Sequence, residues 1–113
     1  MPEEFEVNVV ERADGDTIIE LSGTVNRLAK ETLETAYEAT GGARVLLDFR
    51  KVDYINSTGI AVIVGVLAMA RAENRVVGAY GLSDHYREVF QITRLADFMT
   101  IYDDETAAVS AGT

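Results

Sequence analysis

Tyr54-Ile-Asn-Ser-Thr-Gly-Ile-Ala-Val-Ile-Val-Gly-Val-Leu67 carries a polar cluster, Asn56-Ser57-Thr58, into the most apolar run of the chain. The fold turns on what that run is. From Gly59 to Glu73 it is apolar nearly all round, with polar residues only near its end at Arg71 and Glu73, followed by Asn74. This predicts a central buried helix, although Val62, Ile63, Val64 and Val66 also suit a strand. Upstream, Arg44-Val-Leu-Leu-Asp-Phe49 is a short, nearly continuous apolar run, as expected of a strand covered on both faces. The cluster then marks a strand-to-helix junction. Arg50, Lys51 and Asp53 between them read as solvated loop charges.

Working outward, Phe5, Val7 and Val9 alternate with polar residues as in a half-buried strand. Asp14-Gly15 signals a hairpin turn, and Thr17 to Ser22 a second strand. Asn26 suits a helix cap. Beyond it Ala29, Leu33, Ala36, Tyr37 and Thr40 share one face, and Gly41-Gly42 supplies the stop. After the central helix come a strand over Val76 to Tyr80, a helix capped by Ser83 or Asp84, and a strand from Phe98 to Tyr102. A short helix opened by Asp103-Asp104-Glu105 follows, and Ser110 to Thr113 reads as a fraying tail. The order is ββαβαβαβα: an α/β fold with a mixed sheet of four to five strands and about four helices, in one domain over 1–113 with its core at about 5–110.

The chain has 113 residues, 48% hydrophobic and 26% charged, so it fits one ordinary globular core. Its net charge of -9 and only 10 Lys+Arg argue against nucleic acid, whose phosphates demand clustered cations, and against an anionic membrane surface. With no cysteine there are no disulfides, thiolate metal sites or thiol nucleophiles. That usage fits a cytoplasmic setting, as does an N-terminus, MPEEFEVNVV, with acids where a secretion signal has bases. The run Gly59 to Ala70 is too short to span a bilayer.

Three readings of Ser57 follow. As a hydrolase nucleophile it would want G-x-S-x-G, but Ile55 stands at the first glycine position. The one histidine, His85, reads as a surface residue near a later helix start, not as the base a nucleophile needs. Carboxylate pairs such as Asp14/Asp16 match no metal loop, and no phosphate-binding glycine loop occurs. No cofactor is expected. As a cap, Ser57 would do what any Ser, Thr, Asp or Asn does. As a modification site, a phosphoserine would bring about −1.5 to −2 charges to a helix N-terminus, which holds anions without unfolding. Cap and acceptor both stay open on these grounds.

The segment Asp48-Phe-Arg-Lys-Val52-Asp-Tyr54-Ile55-Asn56-Ser57-Thr58-Gly59 resembles the signature of STAS domains, in particular bacterial anti-sigma factor antagonists. The Gly23-Thr24-Val25-Asn26 turn and the alternating order resemble that family too, over roughly residues 5–110. The resemblance implies a non-enzymatic regulator that binds an anti-sigma factor, itself a serine kinase of the histidine-kinase-like ATPase fold, and so frees a sigma factor. It implies that the kinase phosphorylates Ser57 and ends the complex, and that a PP2C-type phosphatase resets it. Thr58 would be the unmodified neighbour, and Gly59 would let the helix start pack closely against the partner. Asn26, Arg27, Asn56, Thr58, Gly59 and Ile60 are the expected contacts. Two positions depart from the family: Asn56 stands where Asp is usual, and Asn26 where Asp is frequent. A like charge about 4 Å away costs about 1 kcal/mol in water and about 4 at an effective dielectric of 20, so this site is less negative than usual before modification. A kinase that reads those carboxylates would phosphorylate it poorly; one with a matched surface would not. The alternative is a STAS interaction module that binds constitutively, in a signalling or transport complex.

Overall fold

The computed structural model describes residues 4–111; the expectations for Met1 to Glu3 and for Gly112 and Thr113 lie outside them. Among the described residues five strands form one sheet in the order β1-β2-β3-β4-β5. Strand β1 (Glu6–Glu11) and β2 (Thr17–Val25) are antiparallel, in register from Glu6 opposite Ser22 to Glu11 opposite Thr17. Their turn uses Gly15 at φ +93, and the Asp16 N–H donates to the Asp14 carboxylate at 3.0 Å. Strands β3 (Arg44–Ile55), β4 (Val76–Tyr80) and β5 (Thr100–Ile101) continue the sheet in parallel.

Between them lie α1 (Lys30–Glu38), α2 (Ser57–Ala72), α3 (Asp84–Ile92) and α4 (Glu105–Ser110). The predicted order of elements is the observed one. Residues of one strand alternate between faces, so β2, β3 and β4 feed two cores. Ile19, Leu47 and Ala79 join Leu33, Tyr37, Ile63, Val66 and Phe90 in the larger one. Ile18, Leu46 and Tyr80 meet Ala108 of α4 in the smaller. This is why Val45 through Phe49 is buried without interruption.

Strand β2 does not end at Ser22 but runs to Val25, so most of the expected Gly23-Thr24-Val25-Asn26 turn is strand paired with β3. Four further expectations need correction. First, β3 does not stop at Phe49 but runs to Ile55, so Arg50, Lys51 and Asp53 lie on a strand. Past Asp48, paired with Tyr80, β4 has ended, and β3 continues beside β2 alone with two register shifts. A half-exposed, bulged strand tolerates polar residues that a central one would not. Arg50 is also no free charge: it grips the buried Asp48 carboxylate through Nε and Nη2, at 3.1 and 2.7 Å, and pairs with Glu105 at 3.0 Å.

Second, α2 is not buried all round. Val62, Ile63, Val66, Leu67 and Ala70 face the core, while Ala61, Val64 and Ala68 face out. Small apolar side chains are common on surfaces, and here they hid the amphipathic pattern. Third, β5 is only Thr100–Ile101. Phe98 ends a 3-10 turn, Leu95–Asp97, and is exposed, although the Tyr102 N–H still donates to Ala79 O at 2.8 Å. Fourth, a 3-10 turn, Arg27–Ala29, intervenes between Asn26 and α1, and the helix closes at Ala39, before Gly41-Gly42. The predicted face of Ala29, Leu33, Ala36, Tyr37 and Thr40 is buried throughout.

Candidate functional site

The C-terminal ends of β2 and β3 lie side by side, with Val25 opposite Ile55. Each strand then breaks at an asparagine. Asn26 is extended, and its side-chain oxygen accepts from the Leu28 N–H at 2.9 Å. Asn56 is extended as well and accepts from the Gly59 N–H at 2.8 Å, capping α2. Both satisfy N–H groups that a helix start leaves without partners. The Asn56 N–H donates across to Val25 O at 3.2 Å.

Thr58 stitches the two turns together. Its hydroxyl donates to Asn56 Oδ1 at 2.7 Å and accepts from the Arg27 N–H at 3.2 Å. Gly59 lies beneath this stitch, buried: a Cβ there would fall 2.0 Å from Val25 O and 3.2 Å from Asn26 N. The glycine is therefore required inside this chain, where no side chain fits between α2 and β2. Ile60 is half-buried and packs against the larger core.

Ser57 is the first residue of α2 and is exposed. The cap is Asn56, so the capping reading of Ser57 fails. Among the described residues the Ser57 hydroxyl makes no hydrogen bond, whereas that of Thr58 is engaged twice. His85 is exposed near the start of α3 with its ring edge-on to Tyr86, and no hydrogen bond among the described residues joins it to Ser57. Tyr86 instead accepts the Ile55 N–H at 2.9 Å, which fixes the end of β3.

The site thus brings Asn26, Arg27, Asn56, Ser57 and Thr58 together. Two flanking residues stand outside the expected contacts. Leu28 is 77% exposed beside Arg27, and Tyr54 is 55% exposed on the last turnward stretch of β3. Leu28 falls off the buried stripe of the following helix, an apolar residue out of phase, and that mismatch was its only signal. Large exposed apolar side chains beside a polar cluster suit a protein contact.

The family described as "Mlab, STAS domain" matches residues 8–101. This chain belongs to the STAS domain family. It is 32% identical over 105 residues to BtrV of Bordetella bronchiseptica, a candidate anti-sigma factor antagonist, covering 90% of each chain. It is 36% identical over 76 residues to the anti-sigma-B factor antagonist of Listeria monocytogenes, covering 67% of this chain and 66% of that one. Its fold is also that of the Bacillus cell fate determinant SpoIIAA, at 20% identity, a TM-score of 0.68 and 96% of each chain for the unphosphorylated form, and a TM-score of 0.67 for the phosphorylated one. Among the described residues no helix is long and apolar enough to cross a membrane, and no group of three or more His, Asp or Glu residues could hold a metal ion.

Proposed function

We propose that this chain is a cytoplasmic anti-sigma factor antagonist whose binding is switched by phosphorylation of Ser57. Its partners are an anti-sigma factor with serine-kinase activity and a PP2C-type phosphatase, and the chain itself catalyses nothing. The observation that carries the reading is the contrast at the start of α2: an exposed serine with an unengaged hydroxyl beside a threonine whose hydroxyl is held twice. The likeness to named antagonists over most of the chain supports it.

The docking surface is centred on Ser57, with Asn26, Arg27, Leu28, Tyr54, Asn56 and Thr58 around it. Gly59 and Ile60 support it from beneath. Because Asn56 supplies the cap, Ser57 gains a phosphate without surrendering a helix contact. The helix start holds the added charge, and the partner surface meets a dianion where it had met a hydroxyl. Incubation with the cognate kinase and ATP tests this: one phosphate is expected, on Ser57. Phosphate elsewhere, or none with a kinase shown to be active, refutes the acceptor assignment.

Asn26 and Asn56 favour a second reading, a constitutive STAS interaction module. Both serve as caps and neither offers a carboxylate for a kinase to read. Partner capture unaffected by kinase and ATP would select it.

A further inference from the structure

The outward side of α2 does not end in plain solvent. Its second half, with the start of β4 and the 3-10 turn Leu95–Asp97, encloses an open groove of about 890 Å³. Three large apolar side chains on it are exposed: Val64 at 47%, Val76 at 56% and Phe98 at 57%. Ala68 lies between the α2 residues and adds no bulk. The wall opposite α2 turns on Arg94, a non-glycine residue at φ +67, with its guanidinium on Asp97 at 2.8 Å. Left-handed backbone at such a residue is unusual and marks a turn held in place by its surroundings.

The charge of the groove runs against that of the molecule. On a chain of net charge -9, the described residues lining it include three arginines and a single acid, Asp97. Asp97 is taken by Arg94, and Arg75 is turned inward, stacked 4.6 Å from the Tyr37 ring and donating to Thr40 and Gly42. Arg71 is the cation left over: its guanidinium lies 5.8 Å from the Phe98 ring centre, and it has no carboxylate partner among the described residues. An apolar trough with one unneutralised guanidinium, on a surface that otherwise repels acids, selects for an acidic, apolar partner.

We infer that this groove is a second docking site, for an amphipathic helix of a partner protein that sets apolar anchors on Val64, Ala68 and Phe98 and a carboxylate on Arg71. Its walls are side chains of a helix and a turn, the form of a helix-in-groove site. Arg71 lies about 20 Å along the helix axis from Ser57, so a partner held here stays bound whatever happens at Ser57. The inference does not rest on the switch.

Titration of the 15N-labelled full chain tests it. The probe is a peptide of about 18 residues with leucines at i, i+3, i+4 and i+7, glutamates flanking that face and glutamine elsewhere. A second peptide has lysine for each glutamate, and sodium dodecanoate controls for a small apolar anion. Saturable shifts of the Val64, Ala68, Arg71 and Phe98 amides are expected with the glutamate peptide, about tenfold weaker with the lysine peptide. Arg71→Glu should reverse that order. Phe98→Ala, a change at an exposed side chain, should weaken binding about tenfold. Absence of saturable shifts, indifference to peptide charge, shifts centred near Ser57, or dodecanoate binding in place of the peptide would overturn the inference.

Discussion

A Cβ on Gly59 would lie 2.0 Å from the carbonyl oxygen of Val25, so the first turn of α2 rests directly on the backbone of β2. Backbone cannot swing aside as a long side chain can. Gly59→Ala is expected to push the helix start off β2 and to cost about 1–3 kcal/mol, the usual range for overpacking. Urea denaturation measures this. A variant as stable as the parent would mean that α2 and β2 separate at no cost.

Asn56 holds the other side of the same turn. Asn56→Ala removes an acceptor used by both the Gly59 N–H and the Thr58 hydroxyl, and is expected to cost about 1 kcal/mol. Asn56→Asp keeps the acceptor and should retain stability within about 0.5 kcal/mol. If the asparagine also sets how readily Ser57 takes a phosphate, the two variants part company: Asp at 56 alters the phosphorylation rate with the cap intact, while Ala alters both.

Thr58 is a structural tie between turns. Thr58→Val deletes its bonds to Arg27 and Asn56, while Thr58→Ser keeps them. Hydrogen exchange at the Arg27 amide should speed up in the valine variant and stay near the parent rate in the serine variant, with a stability loss for valine of about 1 kcal/mol. Equal exchange in both would dismiss the tie.

Tyr80 gives a pH dependence of known sign. Burial foremost, then the charges of Asp48 and Glu105, push its hydroxyl above the ordinary tyrosine range. The unfolded chain therefore loses this proton at lower pH than the folded chain. The contribution is intact below about pH 10 and is lost as pH rises toward the folded value. The hydroxyl has no hydrogen-bond partner among the described residues. Tyr80→Phe should change stability at pH 7 by no more than about 1 kcal/mol and flatten the alkaline decline relative to the parent. A parallel decline in both would refute the assignment.

Much of this was legible in the sequence because burial writes itself as periodicity. The face Ala29, Leu33, Ala36, Tyr37 and Thr40 and the run Val45 to Phe49 are found where their patterns put them. The pattern failed where apolar residues are exposed or polar ones lie in strands. Val64 and Ala68 made α2 look wholly buried, and Arg50 to Asp53 concealed the bulged half of β3. At the site, the sequence drew attention to Ser57 and its neighbours but could not show that Asn56, not Ser57, is the cap. That depends on which oxygen reaches the Gly59 N–H. The exposure of Leu28 and Tyr54 is a tertiary fact that no local pattern shows.

The most direct test of the switch is the affinity of the cognate anti-sigma kinase for three forms of the protein: parent, Ser57→Ala and Ser57-phosphorylated. Calorimetric titration should give parent and Ser57→Ala values within a few-fold, and a loss of at least about tenfold, about 1.4 kcal/mol, on phosphorylation. Equal affinity of the kinase for the phosphorylated and unphosphorylated forms would contradict it.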